Sequence, residues 1–322
     1  MLLKRIAVMT SGGDCPGMNA GIRSVVRTGL TYNIEVYGIE HGYTGLIEGK
    51  IAKLTTADVA NTIQRGGTFL KSARCMEFKT EEGQKKAVSS LARHEIDGLI
   101  VIGGDGSLTG ANILHRDYNI KVIGLPGSID NDIYGTDISI GADTALNNII
   151  NCIDMINDTA SSHDRTFIIE VMGRNSGYLA VRSAIASGAE AVLIPEVPYN
   201  LENIIQMIRK RYEEGKTRSI IIVAEGVGSA YDFGKVLTLM GGFDTRIMVL
   251  GHIQRGGSPS VFDRLLATRM ASKAVEALLE GKSGYMTGME GNNVTLVDFN
   301  TVLSSKKPLD ETLLKLAETL IS

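Results

Sequence analysis

The sequence predicts a doubly wound α/β fold, and three observations lead there. Short β-branched runs alternate with longer segments of helical periodicity almost from end to end. These runs are apolar throughout rather than at alternate positions, as expected of parallel strands covered on both faces. Many of the 37 glycines gather in tight clusters where the runs stop. In such folds ligands bind beyond the carboxyl ends of the strands, so those turns are the first places to look for chemistry.

In chain order, strands are expected over 5–9, 35–39, 99–102, 121–125, 166–171, 191–194, 219–223 and 246–250. Helices are expected over 17–30, 106–115, 142–160, 177–188, 201–215 and 260–280. No Pro- or Ser-rich linker divides the chain. A second lobe is expected to begin near Gly141, and the loop over 251–258 to return the chain to the first. Thr10-Ser11-Gly12-Gly13-Asp14 is faintly echoed by Val101-Ile102-Gly103-Gly104-Asp105, as two strand–turn–helix units of similar chemistry would be.

Composition bounds the function. A chain of 322 residues with 43% hydrophobic and 21% charged residues can bury a substantial core. It has no tryptophan and 5% aromatics, a poor basis for stacking single-stranded nucleic acid. A net charge of −3 exerts no global pull on polyanions. No nucleic-acid partner is expected, and phosphate must be held by local arginines and backbone amides. Cys15, Cys75 and Cys152 form neither a metal spacing nor a disulfide framework, which suits a reducing cytoplasm. The first apolar run is too short for a signal peptide and none is long enough to span a bilayer, so a cytoplasmic protein with no membrane partner is expected.

The richest stretch is Leu125-Pro126-Gly127-Ser128-Ile129-Asp130-Asn131-Asp132, which follows an apolar run with a hydroxyl and two carboxylates. On an extended segment Asp130 and Asp132 would face one side; in a turn they diverge and can serve different roles. One can accept a hydroxyl proton while the other organises metal or phosphate; a solvated acidic turn is the plainer alternative. Gly103-Gly104-Asp105-Gly106-Ser107 also follows an apolar run. Asp105 is a candidate magnesium ligand, since that cation takes one or two carboxylates plus substrate phosphates; in a glycine turn it also suits simple backbone bonding. The loop over 11–19 opens a helix, where bare amides admit phosphate closely. Alone it fits a tight βα turn equally well, and the second such loop shifts the balance. Neither common nucleotide fingerprint is present. Arg74, Arg165, Arg174, Arg246 and Arg255 punctuate further loops, the last beside His252. Their planar, permanently charged forks suit an anionic substrate. Phosphoryl transfer needs this set, because its catalysis is mostly positioning and charge neutralisation.

Together these motifs resemble the bacterial ATP-dependent 6-phosphofructokinases. The resemblance rests on Thr10-Ser11-Gly12-Gly13-Asp14, Arg65-Gly66-Gly67-Thr68, Gly103-Gly104-Asp105-Gly106-Ser107, Ile129-Asp130-Asn131-Asp132, Met172-Gly173-Arg174 and Leu250-Gly251-His252-Ile253-Gln254-Arg255-Gly256-Gly257, in the family's order. It implies two similar three-layer α/β lobes with mostly parallel sheets. Residues 1–140 plus 254–303 would bind ATP, and 141–253 plus 304–322 would bind fructose 6-phosphate and neighbouring subunits. The implied reaction moves the ATP γ-phosphoryl to O1 of fructose 6-phosphate with Mg²⁺, the committed step of glycolysis.

By the same resemblance Asp130 is the general base, and Ser128, Arg174 and Asp132 support the transferring group. Gly13, Arg74, Cys75, Gly104, Asp105, Gly106 and Ser107 would hold ATP, with Asp105 on magnesium. Ser128, Ile129, Asp130, Arg165, Met172, Gly173, Arg174, Glu225, Arg246, His252 and Arg255 would line the sugar phosphate. Within a homotetramer, Arg165 and Arg246 would come from a neighbouring subunit. The family has Thr where this chain has Ser128, which keeps the hydroxyl and loses a methyl. Arg23, Arg27, Gly188, Glu190 and Lys216 match an effector pocket for ADP and phosphoenolpyruvate. Thr56, Asn157 and Glu214 stand there for basic residues and Asn61 for an acid, so blunted allosteric control is expected.

Three alternatives are weighed. Pyrophosphate-dependent relatives carry Asp in place of Gly106 and Lys in place of Gly127. An NAD- or lipid-kinase-like protein would share only the Gly-Gly-Asp-Gly turn. A catalytically silent sugar-phosphate sensor would be expected to lose Asp105, Asp130 or Asp132.

Overall fold

The protein was analysed as a computed structural model, which describes residues 3–163 and 165–321. In chain order the elements are β1 (Arg5–Ser11), α1 (Met18–Thr31), β2 (Glu35–Ile39), α2 (Gly42–Glu48), β3 (Ile51–Leu54), α3 (Glu81–Arg93), β4 (Gly98–Gly103), α4 (Asp105–Tyr118) and β5 (Val122–Pro126). There follow α5 (Ala142–His163), β6 (Thr166–Val171), α6 (Tyr178–Ser187), β7 (Ala191–Leu193), α7 (Leu201–Glu213), β8 (Ser219–Ala224), α8 (Ala230–Val236) and β9 (Thr245–Val249). The chain ends with α9 (Val261–Leu279), β10 (Tyr285–Glu290), β11 (Asn293–Asp298), α10 (Phe299–Ser304) and α11 (Glu311–Ile321). No helix among the described residues is long and apolar enough to cross a membrane.

The chain forms two compact units: Met1–Ile129, Ile133–Thr144 and Arg255–Lys307 make unit 1, and Asp130–Asp132, Ala145–Gln254 and Pro308–Ser322 make unit 2. Unit 1 holds a seven-stranded sheet in the order β11-β10-β5-β4-β1-β2-β3. Its five central strands are parallel, and both edge strands run antiparallel. Side chains alternate across this sheet. Ala7, Met9, Leu99 and Val101 join Leu46, Leu91, Leu108 and Phe299 in one core. On the opposite face Ile6 and Ile102 pack towards Gly29 and Gly21 of α1, and Gly21 lies close to Ala267 of α9. Buried on both faces, these strands read as continuous apolar runs.

Unit 2 has a four-stranded, wholly parallel sheet in the order β7-β8-β6-β9. Ile168, Ile221 and Val223 pack there with Ile205 and Ile208 of α7 and Phe233 of α8.

Apart from the amphipathic α11, the helices that periodicity passes over are short or polar. Helix α3 is an example: Thr80 caps it by accepting from Gly83 N, and Glu81–Lys85 and Glu82–Lys86 pairs brace its exposed face. Such exposed pairs are each worth only a few tenths of a kcal/mol.

One polar contact sits deep in unit 1. The carboxylate of Asp263, fully buried, accepts from Gly141 N at 2.8 Å, Thr144 N at 2.8 Å and Thr144 Oγ1 at 2.5 Å, so it caps α5 from the first turn of α9. Burial pushes its pKa up to about 6, while the bonds from Thr144 and Gly141 pull the other way. The folded chain therefore binds this proton more readily than the unfolded chain, whose Asp titrates near its ordinary value. The stabilisation is complete below about pH 4 and is lost as pH rises through about 6, a difference of about 3 kcal/mol. Urea titrations should show wild-type stability falling by that amount relative to Asp263→Asn between pH 4 and pH 7.5. Parallel pH curves for the two proteins would contradict the assignment.

Candidate functional site

In unit 1 the glycine loops are stitched together by hydroxyls and one buried amide. Thr10 Oγ1 lies 2.8 Å from Thr68 Oγ1 and donates to Lys71 O, and Ser72 Oγ donates to Gly12 O at 2.6 Å. These contacts bind the segment leading to Arg74 and Cys75 onto the first glycine loop. Asn19 fixes the Arg65–Phe69 stretch: its Nδ2 donates to Arg65 O and Gly66 O, and its Oδ1 accepts from Phe69 N. Arg255 Nη1 donates to Asp14 O at 3.0 Å, and a Cβ on Gly13 would fall 2.8 Å from the same guanidinium nitrogen. Gly13 and Arg255 are thus brought into contact.

The second loop joins the first through Ser107, whose Oγ lies 3.2 Å from where a Cβ on Gly12 would be. Gly127 N donates to Gly103 O, which registers the start of the acidic turn against the Gly103–Ser107 loop. Beneath them Tyr43 donates to Ser107 O at 2.7 Å and stacks on Phe78. Burial raises the pKa of Tyr43, so it stays a neutral donor. Burial likewise pushes the Cys15 thiol up, which keeps it protonated.

Thr80 and Ser260 cap α3 and α9 with side-chain oxygens, whereas α1 and α4 start at Gly17 and Gly104 without a side-chain cap. Those two N-termini carry partial positive charge suited to an anion. Asp105 and Gly106 are exposed in the first turn of α4, and a Cβ on Gly106 would meet nothing within 4 Å.

In unit 2 a second set gathers at the carboxyl ends of β6 and β8. Glu225 N donates to Val171 O and Gly226 N to Gly173 O; a Cβ on Gly226 would lie 2.0 Å from Arg174 O. Met172 N donates to Gln254 Oε1, and Gln254 Nε2 donates to Gly251 O. This nearly buried amide joins the Met172-Gly173-Arg174 turn to the loop bearing His252. Ser176 Oγ donates to Asp130 O at 2.9 Å, placing Asp130 beside the same turn. Asn131 is left-handed, with φ 48°, so Asp130 and Asp132 flank a true turn rather than sharing an extended segment.

Arg165 and Arg246 are not part of that gathering. Arg165 precedes β6 and Arg246 pairs with Phe167 near its start, about 17 Å from Met172 by strand rise. Both guanidinium groups engage Asp244, at 3.0 and 2.7 Å. Arg23 and Arg27 lie on α1 in unit 1, while Gly188, Glu190 and Lys216 belong to unit 2. Glu190 is buried and accepts from Arg211 Nη2 and Ile220 N, both at 2.6 Å. Lys216 pairs with Glu214 at 3.1 Å.

Residues 5–278 match the family described as Phosphofructokinase. The chain belongs to the phosphofructokinase family. It is 53% identical over 318 residues to an ATP-dependent 6-phosphofructokinase of Halalkalibacterium halodurans, covering 99% of each chain. Identity to the enzyme of that name from Thermotoga neapolitana is 51% over 318 residues, covering 99% of this chain and all of that one. A solved phosphofructokinase from Saccharomyces cerevisiae superposes with a TM-score of 0.88 at 37% identity. That match covers 99% of this chain, which spans 47% of the yeast chain's length.

Tyr43 and Ser176 brace phosphofructokinase-family loops from outside the quoted motifs, and Asn19, at the end of the 11–19 loop, does so with its side chain rather than a backbone amide. Gln254 lies inside a quoted motif, yet only the structure gives it a role. A polar residue in an apolar helix face, as Asn19 is in α1, was the available signal. Asn19→Ala would leave one part-buried amide donor and two carbonyls without this partner, and is expected to cost about 1–2 kcal/mol. Urea unfolding checks this; a cost within 0.5 kcal/mol, roughly that of a plain surface change, would contradict it.

Proposed function

We propose that this chain transfers the γ-phosphoryl group of MgATP to O1 of fructose 6-phosphate, giving fructose 1,6-bisphosphate and ADP. The full-length match to relatives named ATP-dependent carries this reading. Gly106 supports the same donor, because its open surroundings leave room for the α-phosphate that an Asp side chain would crowd and repel. Asp105, Asp130 and Asp132 are all kept, which favours an enzyme over a silent sensor.

The acceptor's O1 forms a bond to the γ-phosphorus as the bond to the β–γ bridging oxygen breaks. Asp130 takes the O1 proton, and Ser128, Arg174 and Asp132 stabilise charge on the moving group. Gly13, Gly104, Gly106 and Ser107, with Arg74 and Cys75, hold the nucleotide through backbone amides and the uncapped N-termini of α1 and α4. Ile129, Met172, Gly173, Glu225, His252 and Arg255 hold the sugar phosphate. Asp105 is a single exposed carboxylate, a donor set that fits a Mg²⁺ arriving on nucleotide phosphates. When bound, that ion would neutralise charge on the donor phosphates.

Arg165 and Arg246 complete the sugar-phosphate set from a neighbouring copy within a homotetramer. Their position at the far end of β6, away from Met172 and Glu225, supports that arrangement. A coupled assay with ATP or pyrophosphate as donor tests the reaction. ATP should serve and pyrophosphate should not, and Asp130→Asn should lower kcat about 10²–10⁴-fold with little change in either KM. Near-normal turnover of that variant would remove Asp130 from the role of base.

Effector control is weakened. Lys216 is paired with Glu214, which offsets the charge it could offer an anion, and Arg211 is drawn to the buried Glu190. At subsaturating fructose 6-phosphate, phosphoenolpyruvate and ADP should change the rate less than twofold up to about 1 mM, a concentration at which a functional pocket would already be filled. Saturable inhibition or activation at micromolar effector would contradict this.

A further inference from the structure

The proposed chemistry leaves Asp263 without a role, although three site-bearing segments of unit 1 meet on it. The first is the start of α5, capped by its carboxylate through Gly141 N, Thr144 N and Thr144 Oγ1. The second is the start of α9. There Ser260 Oγ accepts from Asp263 N and donates to Asp143, while Ser260 N donates to Thr144 Oγ1. Two helix N-termini, each partially positive, are thus cross-linked with one buried carboxylate at their junction.

The third segment is the first glycine loop. A Cβ on Gly17 would fall 2.8 Å from Ile140 and 3.4 Å from Asp263 O, and one on Gly141 would fall 2.5 Å from Cys15 Cβ. Residues 139–141 in turn hold the acidic turn. Ile140 N donates to Pro126 O, Ser128 N donates to Ile140 O, and Ser139 Oγ donates to Ser128 O at 2.6 Å. Both backbone groups of Ser128 are therefore fixed by the stretch that Asp263 anchors, two residues before Asp130.

A cap for α5 alone would not need this arrangement, since a local Ser, Thr or Asn at the helix start supplies one at no desolvation cost. A buried carboxylate reaching across from another helix is costlier, and local costs of this kind concentrate where function requires them. We propose that Asp263 is a positioning residue for the phosphoryl transfer: by anchoring residues 139–144 it sets the placement of the Ser128–Asp132 turn and governs turnover rather than substrate affinity. This rests on the reaction proposed above. Misplacement of a reacting group by about 1 Å can cost on the order of 10²-fold in rate.

The test compares full-length wild type, Asp263→Asn, Thr144→Ala and Thr144→Ser by steady-state kinetics and by hydrogen exchange of peptides spanning 122–146. Asp263→Asn and Thr144→Ala should lower kcat about tenfold or more, with both KM values within about twofold of wild type. Thr144→Ser, which keeps the hydroxyl, should stay close to wild type. Exchange over 126–132 should rise in the first two variants and not in the third. If Asp263→Asn does not fold, the Thr144 pair decides alone. Unchanged kcat in folded Asp263→Asn, or in Thr144→Ala, would overturn the proposal, as would unchanged exchange over 126–132. An inactive wild type would instead overturn the reaction, and the exchange pattern would still decide the anchoring.

Discussion

Unit 1 depends on one polar constraint: helix N-termini converge on its loops, and their orphan N–H groups must be met by acceptors. Asp263 does this for α5 through its carboxyl group, while the hydroxyl of Ser260 caps α9 by accepting from Asp263 N. The N-termini of α1 and α4 begin at glycines without side-chain caps. One pair is capped internally and held still, while the other is left to attract an anionic ligand. The glycine loops, Ser107 and the start of the acidic turn are registered to one another by side-chain hydroxyls, the Asn19 amide and the Gly127–Gly103 backbone bond.

Unit 2 solves a different problem with similar means. Its parallel strands deliver Met172, Arg174 and Glu225 to one end of the sheet, but loops carry those residues and need bracing. Gln254 supplies it from a nearly buried position by serving two turns at once, and Ser176 adds a bond to the backbone of Asp130. Parallel topology gives each strand only one carboxyl end. Arg165 and Arg246, attached near the opening residues of β6 and β9, therefore join each other around Asp244 rather than the other sugar-phosphate residues.

The doubly wound architecture was legible because β1, β4, β5, β6 and β8 are buried on both faces and so read as unbroken apolar runs. Strands β3, β10 and β11 were not foreseen. β3 and β11 are sheet edges with partly exposed side chains, and β10, although mostly buried, is broken by Thr287 and Gly288 and so lacks a continuous apolar run. Helices α2, α8 and α10 are six or seven residues long, too short for periodicity to register, and α3 is mostly polar outside a narrow buried stripe. The acidic turn and glycine loops were legible because the residue types themselves carry the chemistry. Asp263 was not, since its partners Gly141 and Thr144 lie about 120 positions away and nothing local in the helix start Ser260-Val261-Phe262-Asp263 distinguishes a capping acid from a solvated one. Glu190 was matched to an effector role by its position, yet its engagement with Arg211 and Ile220 emerges only once β8 and α7 are folded against each other.

The central claim is that these loops direct a phosphoryl group to one oxygen of a sugar phosphate. Phosphorus NMR of the wild-type protein with fructose 6-phosphate and MgATP follows donor, acceptor and product together. The account predicts a new phosphate ester resonance at C1 growing one for one with ADP, and no inorganic phosphate beyond background. ADP appearing with inorganic phosphate, or a phosphoryl group on another oxygen, would contradict it.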